Sequence, residues 1–310
     1  MLSSVSLIVN NVLTLLLIMV VGLWMGKQGC FSESVQQQMA KLLNTIITPS
    51  LILTCMPERG DGETWRAFAK TFVIMLIVLS LCALLARFLF QDQPRDLRIT
   101  LRYSVVYGNI GYLGVPLVQA TFGEAAMIYV AVAGAAFNLM VWTHGIWLMG
   151  SGEKKLSSRA ILNPGTVCFL VGILLMASEK SLPLPLDKAV EFLAGMNTPL
   201  AMLIVGAQMA SANICAVFCD KKLYLTSFIR LIVVPVGVML ALLPLHFEKM
   251  LYLTMVILCG CPVATLSSTF SQMYGRDAKT GARAVIQSTI FSLVTLPTIA
   301  VVAQYIYELI

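Results

Sequence analysis

Charge is what this 310-residue chain has least of: Asp, Glu, Lys and Arg make up 12% of it, about half the share of a soluble domain, against 58% hydrophobic residues. With a mean hydropathy of +0.87, that scarcity excludes a soluble domain of this length and points to an all-α membrane protein. Acids are rarer still inside the apolar runs. All 15 lie in predicted loops or in the first or last turn of a predicted helix, so no carboxylate is expected at the bilayer centre. A pump for cations or a proton antiporter usually buries one there, which makes the chain a poor candidate for that work. Catalytic signatures are missing as well: there is no H-E-x-x-H, no G-x-S-x-G, no phosphate-binding glycine loop and no buried aspartate pair. No catalytic residue, and hence no enzyme, is expected. The eight cysteines fall mostly inside apolar runs as small buried hydrophobes, and Cys215, Cys219, Cys259 and Cys261 lack accompanying histidines, so neither a metal nor another cofactor is assigned. The first apolar run lacks the basic start and small-residue cleavage site of a signal peptide and is expected to remain as the first helix. No connection is long and polar enough for a soluble domain.

What the chain does have is long uncharged runs, at 5–25, 103–123, 125–152, 160–178, 192–219, 250–275 and 284–307, each near the 20 residues or so that span a bilayer. Shorter runs at 42–57, 71–86 and 223–247, the last holding Arg230, bring the expectation to ten transmembrane helices. The net charge of +6 follows from this arrangement and not from nucleic-acid binding. With the amino terminus outside, thirteen basic residues lie in or beside cytoplasmic loops and six outside, so the positive-inside rule puts both termini on the non-cytoplasmic side.

Two motifs recur. NTIITPSLIL (44–53) and AGMNTPLAML (194–203) share a Thr-Pro pair 150 residues apart, and TFGEAA (121–126) and MYGRDA (273–278) match at an offset of 152. A repeat of five helices, an odd number, must enter the membrane from opposite sides, giving inverted repeats over 1–160 and 161–310. Inverted repeats with interrupted helices in matching places are the signature of an alternating-access carrier with a site between them. The interruptions are GNIGYLGVP (108–116) in the fourth helix and CGCPVATLSS (259–268) in the ninth. Proline removes a backbone bond and glycine permits the unwound chain that follows, while close helix packing on Gly108, Gly111 and Gly114 with a simple kink at Pro116 is the plain structural alternative.

An interior with positive half-helix ends and no acids favours an anionic substrate. The candidate substrate-binding residues are Asn109, Gly111, Gly114, Pro116, Pro262, Thr265 and Arg230. Asn109 can both donate and accept, or merely cap a half-helix. Arg230 stands eight residues past Lys222, about 12 Å along a helix, and either snorkels to the surface or faces a cavity. His144 is a candidate proton shuttle, against the plainer role of a structural histidine. Ser267, Ser268 and Gln272 are further polar candidates, and Gln119, Asn138, Gln208 and Gln287 read as interhelical glue.

The segment Asn109-Ile110-Gly111-Tyr112-Leu113-Gly114-Val115-Pro116 resembles the Asn-x-Gly-[Phe/Tyr]-x-Gly-x-Pro motif of the auxin efflux carrier family, which includes bacterial permeases and the plant PIN exporters. Lys41-Leu42-Leu43-Asn44 leading to Pro49, Asn163-Pro164, Asn197-Thr198-Pro199-Leu200, Arg230-Leu231 with Pro235, and Ser292 to Pro297 extend the resemblance over essentially the whole chain. It implies two inverted five-helix repeats similar to bile acid symporters and sodium/proton antiporters. It also implies scaffold and transport domains each assembled from both repeats, and a crossing of broken helices four and nine beside the substrate. Family substrates are small organic acids. The long cytoplasmic loop of many plant exporters is absent, which points to a bacterial inner-membrane permease and away from auxin itself. The expectation is a secondary carrier of a small carboxylate by export or uniport, with a proton- or sodium-coupled symporter or a non-transporting sensor as alternatives. Its partners are the organic acid and the bilayer, without nucleic acid, and a homodimer is admitted as an assembly.

Overall fold

The computed structural model describes residues 2–56, 60–150, 163–210 and 217–309. Among these the chain is helical and has no strand; one isolated antiparallel bridge joins Gly108 and Val263. Six stretches are long and apolar enough to cross a membrane, namely Asn10–Lys27, Gly62–Ala86, Glu124–Met149, Leu184–Ala210, Lys221–Leu245 and Ala278–Glu308. Ile110–Phe122, Pro164–Ser178 and Lys249–Cys259 are shorter apolar helices.

The helices, in order, are α1 (Leu2–Lys27), α2 (Glu33–Leu42), α3 (Thr48–Thr54), α4 (Gly62–Ala86), α5 (Arg95–Val106), α6 (Val115–Phe122), α7 (Met127–Met140) and α8 (Ile146–Met149). They continue with α9 (Pro164–Ser178), α10 (Leu184–Gly195), α11 (Asn197–Ala210), α12 (Lys221–Phe228), α13 (Val234–Leu242), α14 (Lys249–Cys259), α15 (Leu266–Met273) and α16 (Ala278–Glu308). Their starts are set by polar caps that accept a first-turn N–H: Asp61 from Thr64, Asn163 from Thr166 and Asp277 from Thr280. The two segments matched in sequence end alike. Gly123 closes α6 at φ +67° and Gly275 follows α15 at φ +65°, a backbone region that glycine enters without strain.

Four of the joins are single wide turns in which the backbone bond reaches one residue further than in an α-helix: Leu43–Ile47, Ile110–Gly114, Val141–Gly145 and Ile229–Val233. Three of these precede Pro49, Pro116 or Pro235 by two residues. Proline has no N–H to return to the carbonyl four residues back, so the ladder widens there instead of closing.

Helix α1 lies along α11, and α9 along α3. The first contact is too close for side chains: a Cβ on Gly22 would stand 2.3 Å from the Leu203 carbonyl oxygen, and one on Gly206 2.0 Å from that of Met19. Small residues at such a seam let backbones touch where lipid supplies no hydrophobic drive. Helix α4 packs on α7, and α16 packs on α15, α5 and α14. Between α5 and α15 runs a buried ladder of hydroxyls, Thr100 to Ser271 at 2.9 Å and Ser104 to Ser267 at 2.7 Å, which binds these two helices as one unit.

The interruptions sit differently from the expectation in one respect. In the first, the break is at Tyr107 and Asn109, where ψ rises to 115° and 67°, and Pro116 lies beyond it inside the first turn of α6. In the second, Pro262 belongs to the unwound chain itself.

Candidate functional site

The two unwound segments meet. The Asn109 N–H donates to the Pro262 carbonyl at 2.6 Å and the Ala264 N–H to the Tyr107 carbonyl at 3.0 Å, an antiparallel pair that satisfies backbone groups neither helix can satisfy alone. Val263 N–H is held by the Ser288 hydroxyl at 3.0 Å.

Where α5 stops, and just past the end of α14, backbone carbonyls point at this junction, and Arg230 answers them. Its Nε donates to the Cys261 carbonyl at 2.9 Å and its Nη1 to that of Val106 at 3.3 Å, with the residue only 2% exposed. Charge-assisted bonds to helix C-termini set a cation against the negative ends of two dipoles. The guanidinium lies on Gly108, where a Cβ would come within 1.9 Å of Nη2. Arg230 therefore neither snorkels nor lines the cavity beside the junction; it is buried behind it.

That cavity has a volume of about 360 Å³, within the range of small-molecule sites. Its wall is built from Asn44, Thr45 and Thr48, from 108–112, from Asn138 and Trp142, from Asn163 to Gly165, and from Ala264 to Leu266. No Asp, Glu, Lys, Arg or His is among the described residues lining it.

Its polarity comes from amides and helix starts. The Asn109 side-chain oxygen accepts the Tyr112 N–H at 3.3 Å, while its NH2 has no partner among the described residues. Asn163 likewise caps α9 with its oxygen, accepting from Thr166 at 3.0 Å, and leaves a buried NH2 without a partner among the described residues. Asn138 has no side-chain bond within the described residues, and Asn44 donates to the Tyr112 hydroxyl at 3.0 Å. The amino-terminal turns that follow Asn109, Asn163 and Thr265 all border the same space, each with N–H groups its own helix cannot use. Three positive helix ends and several spare amide donors, with no fixed charge, can hold a carboxylate.

A family model described as "Membrane transport protein" matches residues 7–158 and 153–300, nearly the whole sequence. The chain belongs to the auxin efflux carrier family. Relatives that resemble it along most of their length do so at low identity. An "Uncharacterized transporter" of Methanothermobacter thermautotrophicus is 24% identical over 94% of this chain and 97% of its own. A "Putative malonate transporter" of Rhizobium meliloti is 23% identical over 82% and 84%. "Uncharacterized transporter YfdV" of Escherichia coli is 21% identical over 93% and 95%. The protein is thus a multi-pass membrane transporter of this family.

Of the residues singled out in the sequence, Asn109, Gly111 and Thr265 line the cavity. Gly114 does not; it faces Cys261 and Leu258, where a Cβ would meet atoms at 2.8 and 2.9 Å. Pro116 is buried in α6, and Pro262 lends its carbonyl to the junction. His144 stands outside the cavity wall and is bonded through Nδ1 to the Tyr107 hydroxyl at 2.8 Å. The sequence marks Asn138 only as interhelical glue and Asn163 only as a helix opener, yet both line the cavity. Their signal was present, an asparagine facing apolar runs, but one sequence does not say which unbonded amides share a space.

Proposed function

We propose that this transporter is a secondary carrier of a small organic anion across the bacterial inner membrane, working by alternating access. The observation that carries the reading is the uncharged cavity on which three helix amino termini and the unbonded amides of Asn109, Asn138 and Asn163 converge. A carboxylate accepts from all of these, and a buried cation would find no counter-charge. The Rhizobium relative's name, a malonate transporter, agrees with that chemistry.

The architecture of this reading is ten crossings in two inverted five-helix repeats, 1–160 and 161–310. It is supported by an exchange of partners: α1, which opens one half, packs on the Thr198-Pro199 helix of the other, and α9, which opens the second, packs on the Thr48-Pro49 helix of the first. With both termini outside, the exposed end of the cavity at Asn44 and Thr45 faces the cytoplasm, and its buried end at Met127 and Val130 faces outward.

The test is the current evoked in proteoliposomes, free of sodium and pH gradients, by a panel of pyruvate, lactate, malonate and malate, beside empty liposomes. A saturable current establishes an electrogenic anion carrier. Silence across the panel, in counterflow of labelled acid as well as in current, overturns the reading. A second reading, proton-coupled symport, is favoured by the Tyr107–His144 bond, because Tyr107 also supplies a junction carbonyl. It requires counterflow without current and uptake driven by an imposed pH gradient.

A further inference from the structure

The junction contains a charge that no acidic side chain among the described residues offsets. Helices α5 and α14 end there and the helices after Asn109 and Thr265 begin there, so two negative dipole ends of about half a charge each meet two positive ones of the same size. These cancel, as they must, since a dipole carries no net charge. What is left is the Arg230 guanidinium, a group that keeps its proton in proteins. Its bonds are to the carbonyls of Val106 and Cys261, and no carboxylate pairs with it among the described residues. The thiols of Cys82, Cys259 and Cys261 are near enough to interact with it. Arg230 also lies on Gly108, which forms part of the cavity wall, so its field reaches the bound anion.

We infer that Arg230 is the fixed counter-charge of the transport cycle: it changes sides electrically with the junction, so that a loaded carrier moves the anion's charge plus one, and an empty carrier moves plus one. This rests on the carrier reading above. Whether the junction itself shifts or the water-filled crevice changes sides, Arg230 passes from the potential of one compartment to that of the other. Three consequences follow for a monoanion. The loaded step is electrically silent. The empty return is the step that feels the membrane potential. An inside-negative potential holds the empty carrier toward the cytoplasm, ready to load there, which makes export the favoured direction. A dianion such as malonate loads the carrier to minus one.

The experiment compares two fluxes of the transported acid in proteoliposomes under potassium diffusion potentials set with valinomycin. Counterflow, with acid saturating on both sides, uses the loaded step alone; net efflux also needs the empty return. One full charge crossing 100 mV changes an equilibrium about 50-fold, so a sensitive step shifts several-fold in rate over that range. For a monoanion, wild-type counterflow should be flat and net efflux potential-dependent. In Arg230→Gln the pattern should reverse, with counterflow gaining one negative charge of sensitivity and the empty return losing its own. Arg230→Lys, which keeps the charge, should behave as wild type. If malonate or malate is the acid carried, wild-type counterflow should carry one negative charge of sensitivity and Arg230→Gln two. Should Arg230→Gln fail to fold, the wild-type valences alone decide: counterflow with the full charge of the free acid overturns the inference. Absence of counterflow for every acid overturns instead the carrier reading on which it stands.

Discussion

Gly108 and Arg230 occupy adjoining space so closely that no other residue fits at 108: the Cβ of an alanine would fall 1.9 Å from Nη2, 2.7 Å from Cζ and 2.9 Å from Nε of the arginine. The side chain cannot simply swing away, because two of its nitrogens are bonded to the Val106 and Cys261 carbonyls. Gly108→Ala should therefore break at least one bond made by a charged donor, about 1.5–3 kcal/mol. The expected result is a clear fall in the unfolding midpoint of the detergent-solubilised protein. Combined with Arg230→Lys, whose shorter head leaves room, the loss should be less than the sum of the two single losses. Strict additivity would mean that the two residues do not compete for space.

Asn109 has two separable duties, and substitution by aspartate separates them. Asp and Asn cap a helix start about equally well, so Asn109→Asp should preserve the bond from Tyr112 N–H and with it the folded state. It removes the spare amide donor and puts a carboxylate into a cavity that holds none. Transport of an organic anion should then fall by roughly tenfold or more, in line with the loss of a bond to a charged group, and Asn109→Ala should do the same with some loss of stability. Wild-type flux in a well-folded Asn109→Asp protein would reduce Asn109 to a cap.

Asn138 tests the cavity without touching the fold. Its amide makes no bond within the described residues, so Asn138→Ala should leave thermal stability within about 0.5 kcal/mol of wild type, as surface-like changes do. If its amide contacts the anion, half-saturation should rise about tenfold with the maximal rate little changed. An unchanged half-saturation would remove Asn138 from the site.

The positions of these residues explain what the sequence could reveal. The break at Asn109 was legible because glycine and proline are costly in a helix, and the second break because Gly260 and Pro262 repeat that cost in the matching helix. The family followed from the same residues. The location of Arg230 was not legible, since both its partners are backbone carbonyls, 124 and 31 residues away, and any residue could carry them. The displacement of the first break from Pro116 to Tyr107 escaped notice for a related reason. Proline is the costliest residue in a helix, yet the ladder absorbs Pro116 in a wide turn and breaks where the opposing unwound segment at Val263 supplies substitute bonds.

In the alternating-access cycle proposed above, the polar contacts that tie α6 to the α1–α11 layer hold the outward side closed and bias the balance between the two states. Thr198 on α11 donates to the Gln119 side-chain oxygen at 3.0 Å, and Asn11 on α1 donates to the Ala120 carbonyl, so the carboxyl end of α6 is tied to the α1–α11 layer. Gln119 is held in turn by its own NH2 bond to Glu124 at 3.1 Å, which keeps the amide oxygen turned toward Thr198. Outward opening must part α6 from that layer and so must break the Thr198 bond. Thr198→Val keeps the shape and removes the donor. A bond of this kind contributes about 1 kcal/mol, so the outward-open population should grow about fivefold relative to wild type. Cys55, in the cavity wall, reports this directly. In right-side-out vesicles a membrane-impermeant maleimide should label it about fivefold faster in Thr198→Val than in wild type. Equal labelling rates would mean that α6 does not leave the α1–α11 layer during opening, and that the closure lies elsewhere along the cavity's buried end.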